Sequence, residues 1–252
     1  MTSSRSPDHY SYTVYADPET ARTFDERRFG GPIGEIVASG QAAAIGGFVG
    51  RIKGRSILDV GTGTGRAALL LARGGAKVTA VDASEQMLDV ARRRAAAEGV
   101  RVRFLAGDAQ ALGFPDRSFE VGVSLRVVMH APEWRACIRE LCRVSDELVI
   151  LDYPSMSSVA LVQAIARRLL HRLGRRTEPY RVFRHRTIAR ELARSGFRVQ
   201  SVHRQFVLPI ALHKVIGSRR FTTASEGLLE RLGLLRAFGS PVTLAAVRCT
   251  SS

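Results

Sequence analysis

The sequence predicts an α/β domain with a doubly wound, mostly parallel seven-stranded sheet and helical cap insertions. Three observations lead to that expectation. Short apolar runs alternate with longer amphipathic stretches between Ser56 and Tyr153, the rhythm of βαβ units covered on both faces. A glycine-rich segment, ILDVGTGTGR (Ile57–Arg66), follows directly on the first of these runs. The chain has 252 residues, 45% of them apolar, which is enough for one buried core with embellishments.

Pro18–Phe29 and Pro32–Ile52 read as two helices, the second loosened by glycines, so that residues 1–52 form an N-terminal helical cap. Ser56–Val60 is a strand, Thr64–Arg73 a helix and Lys77–Asp82 a strand. Ser84–Glu98 is a helix opening on a serine cap with acid in its first turn. Val102–Ala106 and Phe119–Ser124 are strands, Pro132–Arg143 a helix and Leu148–Tyr153 a strand. After Tyr153 the rhythm breaks. Val159–Leu173 reads as an amphipathic helix, with Val162, Ala166, Leu169 and Leu173 on one side and Arg167, Arg168 and Arg172 on the other. Arg186–Ser195 is a helix closed by Gly196, Phe197–Phe206 a strand, Ala211–Leu235 mostly helical and Pro241–Cys249 a last strand. The expected organisation is one domain over 1–252, with 154–185 and 210–240 as helical insertions forming a substrate lid.

The formal net charge is +15, and only three of the 38 basic residues are lysines. Between Ser155 and Arg220, fourteen arginines and Lys214 stand against Glu178 and Glu191, a net of +13. A segment so basic is expected to meet something anionic. Met1–Asp17 is polar and lacks the pattern of a secretory signal. No apolar run is long enough to span a bilayer. The expected location is cytoplasmic. Cys137, Cys142 and Cys249 have no CxxC spacing and read as small core residues. No His, Cys or carboxylate cluster has metal-ligand spacing, so no metal is expected.

The glycine spacing discriminates among ligands. Gly61, Gly63 and Gly65 stand where a first strand turns into a first helix. A dinucleotide fingerprint wants its third glycine one residue later, where this chain has Arg66. A phosphate loop wants Gly-Lys-Ser/Thr, which is absent. Asp59 precedes the first glycine by two, at a place the dinucleotide fingerprint reserves for an apolar residue.

The pattern D-x-G-x-G-x-G resembles the first motif of class I S-adenosylmethionine-dependent methyltransferases, close in pattern to the ubiquinone and menaquinone methyltransferase group. VTAVDAS (Val78–Ser84) resembles that family's second strand, whose terminal acid, here Asp82, takes the ribose hydroxyls. GDAQAL (Gly107–Leu112) resembles the loop whose acid, Asp108, and next residue, Ala109, meet the adenine. SFEVGVSLRVVMH (Ser118–His130) resembles the fourth strand and its exit, with Glu120 where aspartate is commoner. RSGFRV (Arg194–Val199) resembles the lead into the sixth strand. The match is good over Ser56–Ser155 and outlines the tail. It implies a Rossmann-like fold, S-adenosyl-L-methionine as cofactor, and contacts to it from Asp59, Gly61, Thr62, Gly63, Gly65, Asp82, Ala83, Met87, Asp108, Ala109 and Arg126. The family's Pro-Gly-Gly turn before the fifth strand is replaced by RVSDELVI (Arg143–Ile150), with Asp146 expected to serve in the turn.

Elementary chemistry agrees with that resemblance. A cationic sulfonium bearing an amino-acid end wants carboxylate and backbone partners rather than a phosphate cradle. Methyl transfer is an in-line displacement, and alignment alone is worth about 7–11 kcal/mol of barrier. A base is needed only where the acceptor carries a proton. His130, beyond the fourth strand, is the first candidate, and Asp152, at the end of the fifth, is the second. Tyr10, Tyr15 and Arg28 lie in the segment that folds over the cofactor in similar enzymes. An apolar-faced lid suggests an apolar small-molecule or lipid-like acceptor, such as a quinone precursor, lipid or polyketide. The basic-apolar stretches Val159–Arg176 and Ile210–Arg220 also fit peripheral contact with an anionic membrane. RNA methylation is the competing reading from charge. Ser124–Val127 has none of the Asn-Pro-Pro-Tyr character that base methylation uses, which disfavours nucleic acid. A non-catalytic protein of the same fold is a third reading, and the intact set of acids and glycines speaks against it.

Overall fold

The structure, a computed structural model, describes residues 17–158, 160–161, 164–165 and 180–249. β1 (Ser56–Val60), β2 (Lys77–Asp82), β3 (Val102–Ala106), β4 (Phe119–Ser124), β5 (Ser145–Tyr153), β6 (Phe197–Phe206) and β7 (Ser240–Arg248) form one sheet in the order β3-β2-β1-β4-β5-β7-β6. The first five are parallel, and β7 runs antiparallel between β5 and β6. From Ile57 to Val60, β1 is buried on both faces and apolar except at Asp59. Leu58 and Val60 join one core layer and Ile57 the other.

One face is covered by α5 (Trp134–Val144) and α6 (His185–Arg194), the other by α2 (Gly31–Val49) and α3 (Arg66–Arg73). In α5, Trp134, Cys137, Ile138, Leu141 and Cys142 are all buried. Their spacing is one helical stripe. Each large apolar side chain on it is worth about 1.5–3 kcal/mol of burial. Burial pushes the Cys137 and Cys142 thiols up to about 12. Cys249 departs from the expected core position. It is exposed, because β7 leaves the core at Arg248, and only its backbone is tied down, donating to the Gly196 carbonyl at 2.8 Å.

Three boundaries differ from the sequence expectation for reasons visible in the backbone. α3 starts at Arg66 because Gly65 adopts a left-handed φ of 83° and serves as its N-cap. The expected 211–235 helix is cut by Gly217 and Gly233, both left-handed, into α7 (Ile210–Ile216), α8 (Arg219–Arg231) and α9 (Leu234–Phe238). No turn forms at Asp146, because α5 runs straight into β5 at Ser145. The Arg248 side chain makes the turn unnecessary. It donates to the carbonyl of Cys142 in the last turn of α5 at 2.8 Å and to that of Asp146 at the start of β5 at 2.9 Å, satisfying acceptors at the helix-to-strand junction.

α1 (Pro18–Phe29) opens on Asp17, which accepts the Thr20 N–H at 2.8 Å, and packs against α2 and against α4 (Glu85–Ala97). α4 opens on Ser84, which accepts the Met87 N–H at 3.2 Å, as its sequence predicts. Tyr10, Tyr15 and most of the expected Val159–Leu173 helix lie outside the described residues. Among the described residues, no helix is long and apolar enough to cross a membrane.

Candidate active site

β1 pairs with β2 on one side and β4 on the other, so the strand order reverses beside it. In a doubly wound sheet the crevice beyond the strand ends at such a reversal is where a ligand sits. The glycine loop occupies that place. Gly61 and Thr62 donate their N–H groups to the Val81 carbonyl at 2.7 and 3.0 Å, which pins the loop to the end of β2. Gly61 has a φ of 69°, and a Cβ built on it would stand 2.1 Å from Val127 Cγ2. The Gly61→Ala variant is therefore expected to lose about 1–3 kcal/mol of stability, read as a lower urea midpoint with an unchanged slope. At Gly65 a Cβ would meet the Ala91 Cβ at 3.0 Å, so its small size lets α3 and α4 approach, and it is not among the residues lining the cavity.

The acids divide by burial and partners. Asp59 is 2% exposed, and one of its oxygens accepts from the Thr62 hydroxyl at 2.7 Å and the Ala68 N–H at 3.1 Å. It joins the loop to the first turn of α3. Burial raises its pKa to about 6. An aspartate so raised stabilises the fold most below its unfolded value, and that contribution is lost as pH rises through 6. Asp59→Asn keeps both hydrogen bonds without the charge. It is expected to be more stable than the wild type at pH 8, by up to about 3 kcal/mol. The difference should shrink towards zero near pH 4, in urea titrations at the two pH values. Asp82 ends β2 with one oxygen accepting from the Gly63 N–H at 2.7 Å and the other from the Ser84 N–H at 2.9 Å, and burial raises its pKa. Asp108 accepts the Gln110 N–H at 2.9 Å, holding the loop after β3.

These groups surround a cavity of about 500 Å³. Asp59, Gly61, Thr62, Gly63, Asp82, Ala83, Met87, Asp108, Ala109, Arg126 and His130 all line it, so of the expected cofactor residues only Gly65 stands outside. A second cavity of about 690 Å³ adjoins it and contains Asp152, which does not line the first. Phe24, Phe29, Gln41, Arg126 and His130 border both. The rest of the second cavity is lined by apolar and aromatic groups such as Met129, Tyr180, Phe206, Leu208 and Ile210, by the polar Thr20, Ser158, Gln205 and Ser240, and by Arg27, Arg28 and Lys214.

The shared wall is built with care for its polar groups. Arg126 has a φ of 64°, a left-handed conformation that costs a non-glycine residue about 1–3 kcal/mol. Its N–H donates to one Asp152 oxygen, while Gln41 donates to the other at 3.0 Å. Asp152 is 3% exposed, and burial raises its pKa against the opposing pull of Arg126. Both oxygens are thus engaged in holding the wall. Beside it, Tyr153 bonds His185 Nδ1 at 2.7 Å, and burial raises the phenol and lowers the imidazole.

Four contributors were not expected from the sequence. Asp25 accepts the Thr64 hydroxyl at 2.9 Å and pairs with Arg94, so α1 is latched onto the glycine loop. Arg66 lines the first cavity with its guanidinium 3.4 Å from the centroid of the Phe29 ring. Gln41 is a buried polar residue in a helix of alanines and glycines, and that contrast is the signal for it. Glu226 accepts the N–H groups of Val207 and Leu208 at 2.8 and 3.0 Å and bonds the buried His213 at 2.8 Å, fixing the loop that walls the second cavity.

Comparison with known proteins agrees with this geometry. Residues 57–147 match the family model described as a methyltransferase domain. A demethylmenaquinone methyltransferase of Thermus thermophilus is 40% identical over 105 residues, covering 40% of this chain and 48% of the relative. A ubiquinone biosynthesis O-methyltransferase of Sinorhizobium fredii is 30% identical over 165 residues, 64% of this chain and 66% of the relative. The chain thus spans about half of the first relative's length and about two thirds of the second's. The fold matches magnesium protoporphyrin IX methyltransferase from Synechocystis, crystallised with S-adenosylhomocysteine. The TM-score is 0.66 at 19% identity, over 94% of this chain and 99% of that one.

Proposed function

The chain belongs to the class I S-adenosylmethionine-dependent methyltransferases, and on that premise we propose that it moves a methyl group from S-adenosylmethionine to a small, apolar acceptor. The observation that carries this reading is the pair of cavities with a common wall. One is lined by the strand-end acids and the glycine loop, the other by apolar and aromatic side chains interspersed with the cations Arg27, Arg28, Arg126 and Lys214. The first suits the cofactor's chemistry. Asp82 offers acceptors to two hydroxyls, Asp108 and Ala109 stand where an adenine would lie, and Asp59 offers negative charge near a cationic ligand. Gly63, whose missing Cβ would point into open space, leaves backbone accessible. Met87 and Ala83 supply apolar contact, and Arg126 or Arg66 is placed to meet a carboxylate.

When bound, the cofactor supplies an electrophilic methyl group on a cationic sulfur. The residues between the cavities then align the acceptor and exclude water. His130 is the group proposed to take a proton from the acceptor. Asp152, with both oxygens engaged, is proposed to position Arg126 and Gln41 rather than to act as the base. The segments after β5 and β6 serve as the lid, since Pro154, Ser158 and Tyr180 from one and Val207–Ala211 from the other wall the acceptor cavity.

The basic segment has internal uses, which favours a small molecule over RNA. Arg181 donates to the Pro132 carbonyl at 3.0 Å, Arg204 to the Gly239 carbonyl at 3.1 Å, and Arg194 pairs with Glu191. Free cysteines, two buried and Cys249 exposed, suit a reducing, cytoplasmic setting. An apolar acceptor is drawn from lipid more readily than from water, so we also place the chain at the inner face of a membrane. Calorimetric titration with S-adenosylmethionine, S-adenosylhomocysteine and NADH tests the centre of the proposal. Binding of both adenosyl ligands and not of NADH is expected, and the absence of adenosyl binding would remove it.

A further inference from the structure

α7 and α8 leave apolar side chains on the surface at helical spacing. On α7, Leu212, Val215 and Ile216 are 40%, 85% and 42% exposed, while His213 on the opposite side is fully buried. On α8 and its C-cap, Phe221, Leu228 and Leu232 are 38%, 59% and 64% exposed and fall at i, i+7 and i+11, one face of the helix, while Thr222 is buried. A helix packed into a protein turns such a stripe inward. Here the inward positions are taken by the polar cluster His213, Thr222 and Glu226, whose hydrogen bonds fix which face points out. An apolar surface of this extent is a contact site.

Its charge and position identify the partner. Arg220 and Arg219, the latter paired with Glu35 at 2.5 Å, open α8 beside the stripe, Lys214 lies between Leu212 and Val215, and Arg231 is near the far end. Lys214 Nζ donates to the carbonyls of Arg27 and Arg28 at 3.0 and 2.9 Å, which brings the basic end of α1 to the same place. Ile210, Ala211 and Lys214 of α7 also line the acceptor cavity, so this surface lies at its edge. We propose that the α7–α8 face docks on an anionic lipid bilayer, with its apolar stripe at the acyl boundary and its arginines at the headgroups, so that the acceptor cavity opens towards the lipid. The combination of an apolar face and flanking cations is what interfacial binding requires. The inference rests on the acceptor reading only for the purpose of docking, and its test does not involve methyl transfer.

The experiment is co-sedimentation of the full chain with vesicles of phosphatidylcholine alone, or with about one third phosphatidylglycerol, at low and high salt. Partitioning at least tenfold stronger onto the anionic vesicles, falling with salt, is expected. The double variant Val215→Asp/Leu228→Asp should lose tenfold or more. Arg190→Glu, which makes the same change of two charge units at an exposed position of α6, should bind as the wild type does. Equal binding to both vesicles, no binding, or a double variant that binds normally overturns the proposal. So does a wild-type dimer in sedimentation velocity that the double variant breaks, since the face would then be covered by a second copy. Calorimetry with S-adenosylhomocysteine on the same preparations reports folding and separates the two readings. Vesicle binding without cofactor binding sinks the enzymatic reading alone, and cofactor binding without vesicle binding sinks this one alone.

Discussion

Asp82→Ala lowers affinity for S-adenosylhomocysteine about 100-fold, the loss expected from two charge-assisted hydrogen bonds at about 1.5–3 kcal/mol each, partly offset by water. The residue has two tasks that fail together. It fixes the glycine loop through the Gly63 N–H and the start of α4 through the Ser84 N–H. It also presents the lone pairs left over to the cavity, where the ribose hydroxyls are proposed to lie. Stability should change little, because the variant removes a buried charge whose desolvation already raises its pKa, and the two freed N–H groups face a cavity that water can enter. Calorimetry for affinity and thermal unfolding of the unliganded protein separate the two effects. Asp82→Asn, which keeps one acceptor, should fall between. An affinity within about threefold of the wild type would contradict the assignment.

The strands and the glycine turn are legible from near neighbours, whereas the roles expected of Asp82, Asp59 and Asp108 follow from the resemblance of their motifs to the family's, and the bond from the Gly63 N–H to Asp82 spans 19 residues. What the sequence concealed is what long loops bring together. Asp25 meets Thr64 across 39 residues, and Gln41 meets Asp152 across 111. Nothing in their neighbours announces either pair. Arg66 stood in plain view as the residue that spoils a dinucleotide fingerprint, yet its stacking on Phe29 depends on where α1 comes to rest. The motif spacing points Gly65 at the cofactor and says nothing of its packing, which the closeness of Ala91 reveals. At Asp146 a local expectation failed because a distant side chain, Arg248, supplied the hydrogen bonds that a turn would have made. The rule across these cases is physical. Backbone conformation is set by near neighbours, whereas satisfaction of buried polar groups is set by whatever the fold delivers.

The wall between the cavities turns the same reasoning on the chemistry. His130→Gln is expected to lower kcat by about 100-fold or more while leaving cofactor affinity within about threefold, if the acceptor loses a proton on methylation. His130 is 7% exposed and borders both cavities, the placement on which its proposed role as proton acceptor rests. Glutamine keeps a polar group of similar reach and removes the ability to hold the proton. Asp152→Asn should behave differently. The amide still accepts the Arg126 N–H but meets the Gln41 side chain with a donor, so the wall shifts and KM changes along with kcat. The split between the two variants is the informative result. A fall in kcat confined to His130→Gln assigns proton removal to the imidazole. Unchanged kcat in His130→Gln, with loss in Asp152→Asn, means that the reaction depends on alignment alone, since orientation is worth about 7–11 kcal/mol without any base.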